Sequence, residues 1–260
     1  MHYSFKPALI AALVLLLNLS SGFATAGSAA KTVVLVHGAF ADGSSWNKVI
    51  PLLQAKGLKT IAVQNPLTSL KDDVNFTQRA LQQAEGPVVL VGHSWGGVVI
   101  TEAGLNDKVK SLVYVSAFAP STAEHLHDIL HQAHAVNKIP KVPGFANPMM
   151  DEHGFFELSE ETVIKHFAQD LSESEARLIA ASQGKLHKDV LDQRITLAAW
   201  EKKPSWYVVS TRDQMIAPDV MRSMARKIGA TTTELPTSHV PMLSDPDAIA
   251  QVILDAANAD

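Results

Sequence analysis

Residues Pro87 to Ile100 read PVVLVGHSWGGVVI, and no other stretch restricts the fold so tightly. Pro87 to Val91 is a short, wholly apolar run of the kind that forms a strand buried on both faces of a parallel sheet. Gly92-His93-Ser94-Trp95-Gly96 follows at once, then Gly97 and an apolar segment, Val98 to Leu105, suited to a helix. Strand, tight turn and helix are the setting in which a G-x-S-x-G turn holds its serine in a strained, presented conformation. Gly92 and Gly96 lack the Cβ atoms that such a turn would crowd, and Gly97 lets the helix approach the sheet. Ser94 is therefore the candidate nucleophile. The helix start beyond it offers unpaired N–H groups to developing negative charge.

The flanking sequence supplies a sheet for this turn. Thr32 to Val36 (TVVLV), Lys59 to Val63, Val109 to Ser116, Ser205 to Ser210 (SWYVVS) and Thr231 to Leu235 read as further strands. Between them lie helical patterns. Trp46 to Leu53 carries helical spacing behind a Ser44/Ser45 cap. Leu70 to Ala84 is a polar helix whose Val74, Leu81 and Ala84 can face the sheet. Pro218 to Ile228 and Asp245 to Ala257 are amphipathic helices late in the chain. The alternation predicts a mostly parallel sheet with helices on both faces. Only the segment from about 120 to 203 breaks it. Helical patterns at Ala123–Val136, Glu160–Asp170 and Glu173–Gln183 surround a Pro/Gly-rich stretch there, so a largely helical lid insertion is expected.

Composition bounds the rest. The chain has 260 residues, 47 % apolar and 18 % charged, with a net charge of −4 and no long run of one sign. That describes a globular protein without the basic surface that a nucleic-acid partner requires. Cysteine is absent, which removes disulfides and thiol catalysis. At the N-terminus, Ala8 to Leu19 is an apolar run too short for the ~20 residues that span a bilayer. Ala24-Thr25-Ala26 then matches a signal-peptidase site. Residues 1–26 are expected to be a removable signal peptide and 27–260 the mature domain. The protein would then be exported, periplasmic or secreted, with no membrane association after cleavage.

A serine nucleophile on such a sheet needs partners in the chain order serine, acid, histidine. His239, in the loop Pro236 to Met242 between the last strand and the last helix, alone of eleven histidines has the late position required of the base. Asp213 directly follows the SWYVVS strand and is the candidate acid. Asp219 sits in a first helical turn, where a carboxylate has a structural role; Asp245 and Asp247 read as caps of the final helix. The oxyanion donors are expected to be the N–H groups of Trp95 and Ala39, with Phe40 shaping the pocket mouth. Phe40, Trp95, Phe118 and Met215 are the candidate substrate contacts. Because His239 must be neutral to take the serine proton, activity should fall in acid. The histidines His125, His127, His131 and His134 could share a helix face as zinc ligands do; with no metal in the inferred chemistry, a solvated lid helix is the expected reading.

With these residues in hand, the chain resembles the α/β-hydrolase superfamily over nearly all of 27–260. More narrowly, it is similar to the branch holding methyl-ester esterases of the methyl salicylate type and hydroxynitrile lyases. The likeness is carried by VVLVHGAFADGSSW, VGHSWGG around Ser94, VYVSAFAP ending at Pro120, STRDQMIAP around Asp213 and SHVPMLSDP around His239. Related lyases often carry threonine or asparagine where this chain has Gly38, and one lineage has lysine where it has Val240. The resemblance therefore implies a cofactor-free, metal-free esterase acting on small or medium carboxylic esters through an acyl-serine, not a lyase. A lactonase, a C–C hydrolase or a cofactor-free dioxygenase would use the same site. A non-catalytic ligand-binding protein on the same fold is the remaining alternative. Oligomeric state and natural substrate are not encoded in any pattern above.

Overall fold

The computed structural model describes residues 1–3 and 29–259. The expected signal segment, its apolar run and its cleavage site fall almost wholly outside the described residues. Among the described residues no helix is long and apolar enough to cross a membrane.

Six parallel strands form the central sheet in the spatial order β2-β1-β3-β4-β8-β9. They are β1 (Thr32–Val36), β2 (Lys59–Val63), β3 (Val88–His93), β4 (Val109–Val115), β8 (Ser205–Ser210) and β9 (Thr231–Leu235). Strands β1 and β3 are buried along their whole length, as their unbroken Val/Leu runs require. The edge strand β9, reading TTTEL, is half exposed. The chain steps outward from β1 to β2 and then crosses back over β1 to β3. A right-handed crossover puts the helices of those two steps on opposite faces. Accordingly α1 (Ile50–Ala55) packs with α9 (Pro246–Asn258), and α2 (Leu70–Gln83) packs with α3 (Gly96–Ala103). The reversal makes the C-terminal ends of β1 and β3 a switch point, where open α/β sheets leave a crevice for ligands.

The buried stripe of α2 is Leu70, Asp73, Thr77, Ala80 and Leu81, with Val74 only half buried. The helix is thus rotated slightly from the sequence expectation, and it carries an acid where an apolar residue was expected. Ser69 caps it by accepting the Asp72 N–H at 3.0 Å.

The segment joining β4 to β8 covers the C-terminal edge of the sheet, and it is less helical than its sequence suggests. Besides α4 (Leu126–His131), a short α5 (Glu160–Thr162) and α6 (Glu173–Ser182), it contains a small antiparallel sheet. Its strands are β5 (Met149–Met150), β6 (Phe155–Glu157) and β7 (Leu186–His187). They are two or three residues long, too short to print a period in the sequence. Both α4 and α5 run on into π-helical turns, Gln132–Val136 and Val163–Phe167, a form often met at functional sites. The last helices are α7 (Pro218–Lys227), α8 (Pro241–Ser244) and α9, each with proline in its first turn, where the missing N–H costs nothing.

Candidate active site

Ser94 is held where its sequence places it, immediately after β3 and before α3, with a left-handed backbone (φ 51°) that L-residues rarely adopt. Glycine makes this possible. A Cβ on Gly92 would lie 2.5 Å from the Gly96 carbonyl oxygen, and one on Gly96 would lie 2.5 Å from that of Val36. The turn is pinned from its neighbour strand: Ser94 N–H donates to Val115 O at 3.2 Å, and Phe118 N–H donates to Ser94 O at 3.2 Å.

Asp213 and His239 converge on this serine because the β8–β9 ladder continues into their loops. Thr211 N–H donates to Leu235 O at 2.8 Å and Arg212 N–H to Thr237 O at 3.1 Å. Beneath them a buried chain of hydroxyls, Ser116–Ser210 (2.7 Å) and Ser210–Thr237 (2.9 Å), ties the ends of β4 and β8 to the histidine loop. The imidazole Nε2 of His239 lies 2.9 Å from Ser94 Oγ, and Nδ1 lies 2.6 Å from Asp213 Oδ2. The other carboxylate oxygen, Oδ1, accepts the N–H groups of Met215 (2.7 Å) and Ile216 (2.9 Å). With Oδ1 saturated by donors, Oδ2 is left to take a proton donor from the ring, which assigns the Nδ1–H tautomer and leaves Nε2 free to accept from the serine. Ser94, Asp213 and His239 are respectively 8 %, 3 % and 1 % exposed, so little water competes for these bonds.

Two more histidines support the frame. His93 packs at a tilt against His239 (ring centroids 4.8 Å apart, planes at 53°) and places its Nε2 2.8 Å from the His239 carbonyl oxygen, where it must be a donor. Burial holds its ring well below the ordinary imidazole range, and the neighbouring His239 acts in the same direction. His37 Nε2 accepts the Asn65 N–H at 2.9 Å, so its Nδ1–H donates to Gly38 O at 2.8 Å. Burial lowers its proton affinity too.

Of the expected oxyanion donors, Trp95 directly follows Ser94, and Ala39 directly follows Gly38, whose added Cβ would lie 2.7 Å from Ser94 Cβ. Among the described residues the N–H groups of Ala39 and Trp95 make no hydrogen bond to protein, whereas the Phe40 N–H is taken by Gly184 O at 3.0 Å. Phe40 itself is buried, with a left-handed backbone (φ 59°), and its ring meets Phe145 of the lid at 5.9 Å. Phe118 is buried behind the elbow, and Met215 is half buried beside Gly144. The Trp95 indole was expected to face a ligand; its N–H is instead held by Asp73 Oδ2 at 2.7 Å. The lid histidines go separate ways. His125 caps α4 by accepting the Asp128 N–H, His127 meets Asp192 at 2.8 Å, and His134 reaches Ile139 O at 2.8 Å. Of the competing carboxylates, Asp219 pairs with Arg222 and Asp245 caps α9.

Three contacts were not anticipated from sequence. Asp170, in the lid, accepts the Ser238 N–H at 2.6 Å and the Ser244 hydroxyl at 2.9 Å. Phe167 lies edge-on to His239 at 5.1 Å. Asp73 is fully buried against Trp95. Only the last left a signal: an acid at i+3 from Leu70 and i−4 from Thr77 falls on the buried stripe of α2.

An elbow serine on a parallel sheet, bonded to a histidine that is bonded to an acid from the next strand, defines the α/β-hydrolase class. The sequence profile of the alpha/beta hydrolase family matches residues 33–252, and the chain belongs to that family. It is similar to Methylesterase 2 of Arabidopsis thaliana (26 % identity, covering 86 % of this chain and 95 % of the relative). It is equally similar to the Pyrethroid hydrolase of Sphingobium wenxiniae (26 %, covering 87 % and 88 %). In structure it resembles polyneuridine aldehyde esterase, with a TM-score of 0.76 at 20 % identity over 88 % of this chain and all (100 %) of the other.

Proposed function

We propose that this protein is a carboxylic ester hydrolase that works through an acyl-Ser94 intermediate. The observation that carries the reading is the unbroken hydrogen-bonded chain Ser94 Oγ–His239–Asp213, ending on a carboxylate whose remaining oxygen is already saturated. Relatives named methylesterase, pyrethroid hydrolase and carbendazim hydrolyzing esterase support the reaction class.

In this mechanism Ser94 Oγ attacks the ester carbonyl carbon as His239 Nε2 takes its proton. Asp213 Oδ2 stabilises the imidazolium through the Nδ1–H it already accepts. The carbonyl oxygen, now anionic, takes hydrogen bonds from the Ala39 and Trp95 N–H groups, which need no reorganisation to supply them. Collapse breaks the bond to the alcohol oxygen, which leaves with the proton from Nε2. Water then repeats the sequence on the acyl-serine, giving up its proton to His239 and releasing the acid and free Ser94.

Hydrolysis of p-nitrophenyl acetate and of a panel of methyl, short-chain, aromatic and lactone esters by wild type and Ser94→Ala tests this. Turnover abolished by the substitution, together with labelling of wild type by a fluorophosphonate probe, is the expected result. A Ser94→Ala protein that turns over at the wild-type rate would remove the proposal. Export with cleavage before Gly27 is part of the same reading, and N-terminal sequencing of protein recovered outside the cytoplasm checks it.

A further inference from the structure

Asp73 is a carboxylate that this reaction does not use. It lies in the first turn of α2 and is 0 % exposed. No lysine or arginine pairs with it among the described residues; its two oxygens each take one neutral donor instead. The Trp95 indole N–H donates to Oδ2 at 2.7 Å and the Leu67 N–H to Oδ1 at 2.8 Å. Burial pushes its pKa up to about 6 against the pull of those two bonds. An apolar side chain there would carry no charge to desolvate but would leave both donors unpaired, so the acceptors are what this position supplies.

Both donors belong to residues whose backbone needs holding. Leu67 is a buried non-glycine residue with a left-handed backbone (φ 59°), and its carbonyl accepts the His187 N–H of the lid sheet at 2.9 Å. Trp95 directly follows the nucleophile. Its backbone starts α3 (φ −55°, ψ −34°), and its own N–H has no protein acceptor among the described residues. The aim of that N–H depends on how the residue is fixed, and its side chain is fixed at the far end by Asp73.

We propose that Asp73 is a positioning residue: by accepting the Trp95 indole N–H, it sets the direction of the Trp95 backbone N–H toward the oxyanion. The assignment rests on the esterase reading above. It also explains the tryptophan, since phenylalanine would fill similar space but could not be anchored this way. In Asp73→Asn an amide NH₂ must face either Leu67 N–H or Trp95 Nε1–H, donor against donor, so one anchor is lost.

The experiment compares wild type, Asp73→Asn, Trp95→Phe and the double variant on one ester, with affinity for a trifluoromethyl ketone analogue measured alongside. Because the donor is misaimed and not removed, kcat should fall ~10-fold at nearly constant KM. Analogue affinity should weaken by a similar factor, and the double variant should be no worse than the poorer single one. Trp95→Phe introduces no opposed donors, so it carries the same kcat and analogue test if Asp73→Asn does not fold. Variants with kcat within twofold of wild type, or single losses that multiply in the double variant, overturn the assignment and leave the esterase reading intact. A wild type that cleaves no ester overturns both.

Discussion

Asp170 belongs to the lid, yet its Oδ2 accepts the backbone N–H of Ser238 at 2.6 Å, one residue before His239. The same carboxylate takes the Ser244 hydroxyl, so it brackets the histidine loop from both sides. Neighbouring lid residues hold the acid loop. Gln169 Nε2 donates to Arg212 O at 2.7 Å, and His166 Nδ1 lies 2.5 Å from Gln214 Oε1. The cover over the site is therefore also a brace for two of the three side chains beneath it.

If this brace matters, Asp170→Ala should slow turnover more than it destabilises the fold. The carboxylate is exposed, so its removal leaves no buried charge behind. The loosened His239 loop should cost about tenfold in kcat, the scale on which small misplacements act. Steady-state kinetics paired with a melting curve checks it; a kcat equal to wild type would mean the lid contact is idle.

A sharper effect is expected at Asp213. Two backbone N–H groups already converge on Oδ1, so in Asp213→Asn the amide oxygen must take that position and the NH₂ must face His239. Nδ1 then becomes an acceptor and the ring proton moves to Nε2, pointing at Ser94 and unable to receive its proton. The wrong tautomer should lower kcat by about 10³- to 10⁴-fold with the fold intact. Measured kcat and an unchanged melting temperature together check this.

How much of this could be read beforehand follows from the range of each signal. The elbow was legible because strand, glycines and serine are contiguous. His239 and Asp213 were legible because chain order and strand ends left few rivals. Three features were hidden for a common reason, that their cause lies in another segment. The lid strands exist only by pairing: Met149–Met150 folds back on Phe155–Glu157 in a short hairpin, and Phe155–Glu157 pairs with Leu186–His187 from much later in the chain. The role of Asp170 appears only when Ser238 is beside it. The Trp95 indole reads as a pocket wall until Asp73 is found at its N–H. The expected signal segment lies outside the described residues, so its reading stands on sequence pattern.

Gly38 tests the crowding around the nucleophile. A Cβ there would lie 2.7 Å from Ser94 Cβ, closer than real Cβ atoms approach, and 3.0 Å from His93 Nδ1, a tight contact. Neither neighbour is a flexible side-chain tip, so Gly38→Ala must shift the Ala39 loop or the elbow itself. Overpacking of this kind costs about 1–3 kcal/mol, which unfolding by urea would show. Turnover should fall at least tenfold, since the displaced groups are the proposed nucleophile and a proposed oxyanion donor. Wild-type kcat in this variant would place the oxyanion donor elsewhere.

The buried His93 makes a prediction about pH with a definite sign. In the unfolded chain a histidine takes up its proton below about pH 6.5. In the native protein burial keeps His93 neutral to well below that, so the unfolded state binds more protons in the interval. The stability this residue contributes is therefore complete above pH 6.5 and is lost as pH falls, at about 1.4 kcal/mol per unit for one proton. His37 acts in the same direction. Asp73 acts in the opposite one: its raised pKa favours the native state in acid and is lost as pH rises from about 4 toward about 6. In wild type two histidines oppose one aspartate. His93→Gln, whose amide can still donate to the His239 carbonyl, removes one of the two. The difference in unfolding free energy between wild type and His93→Gln should thus grow steadily from pH 5.5 to 6.5 and level off above 7. A difference that stays constant over that range would show that His93 takes up a proton as readily in the native protein as in the unfolded chain, and the ring's hydrogen bonding would have to be reassigned.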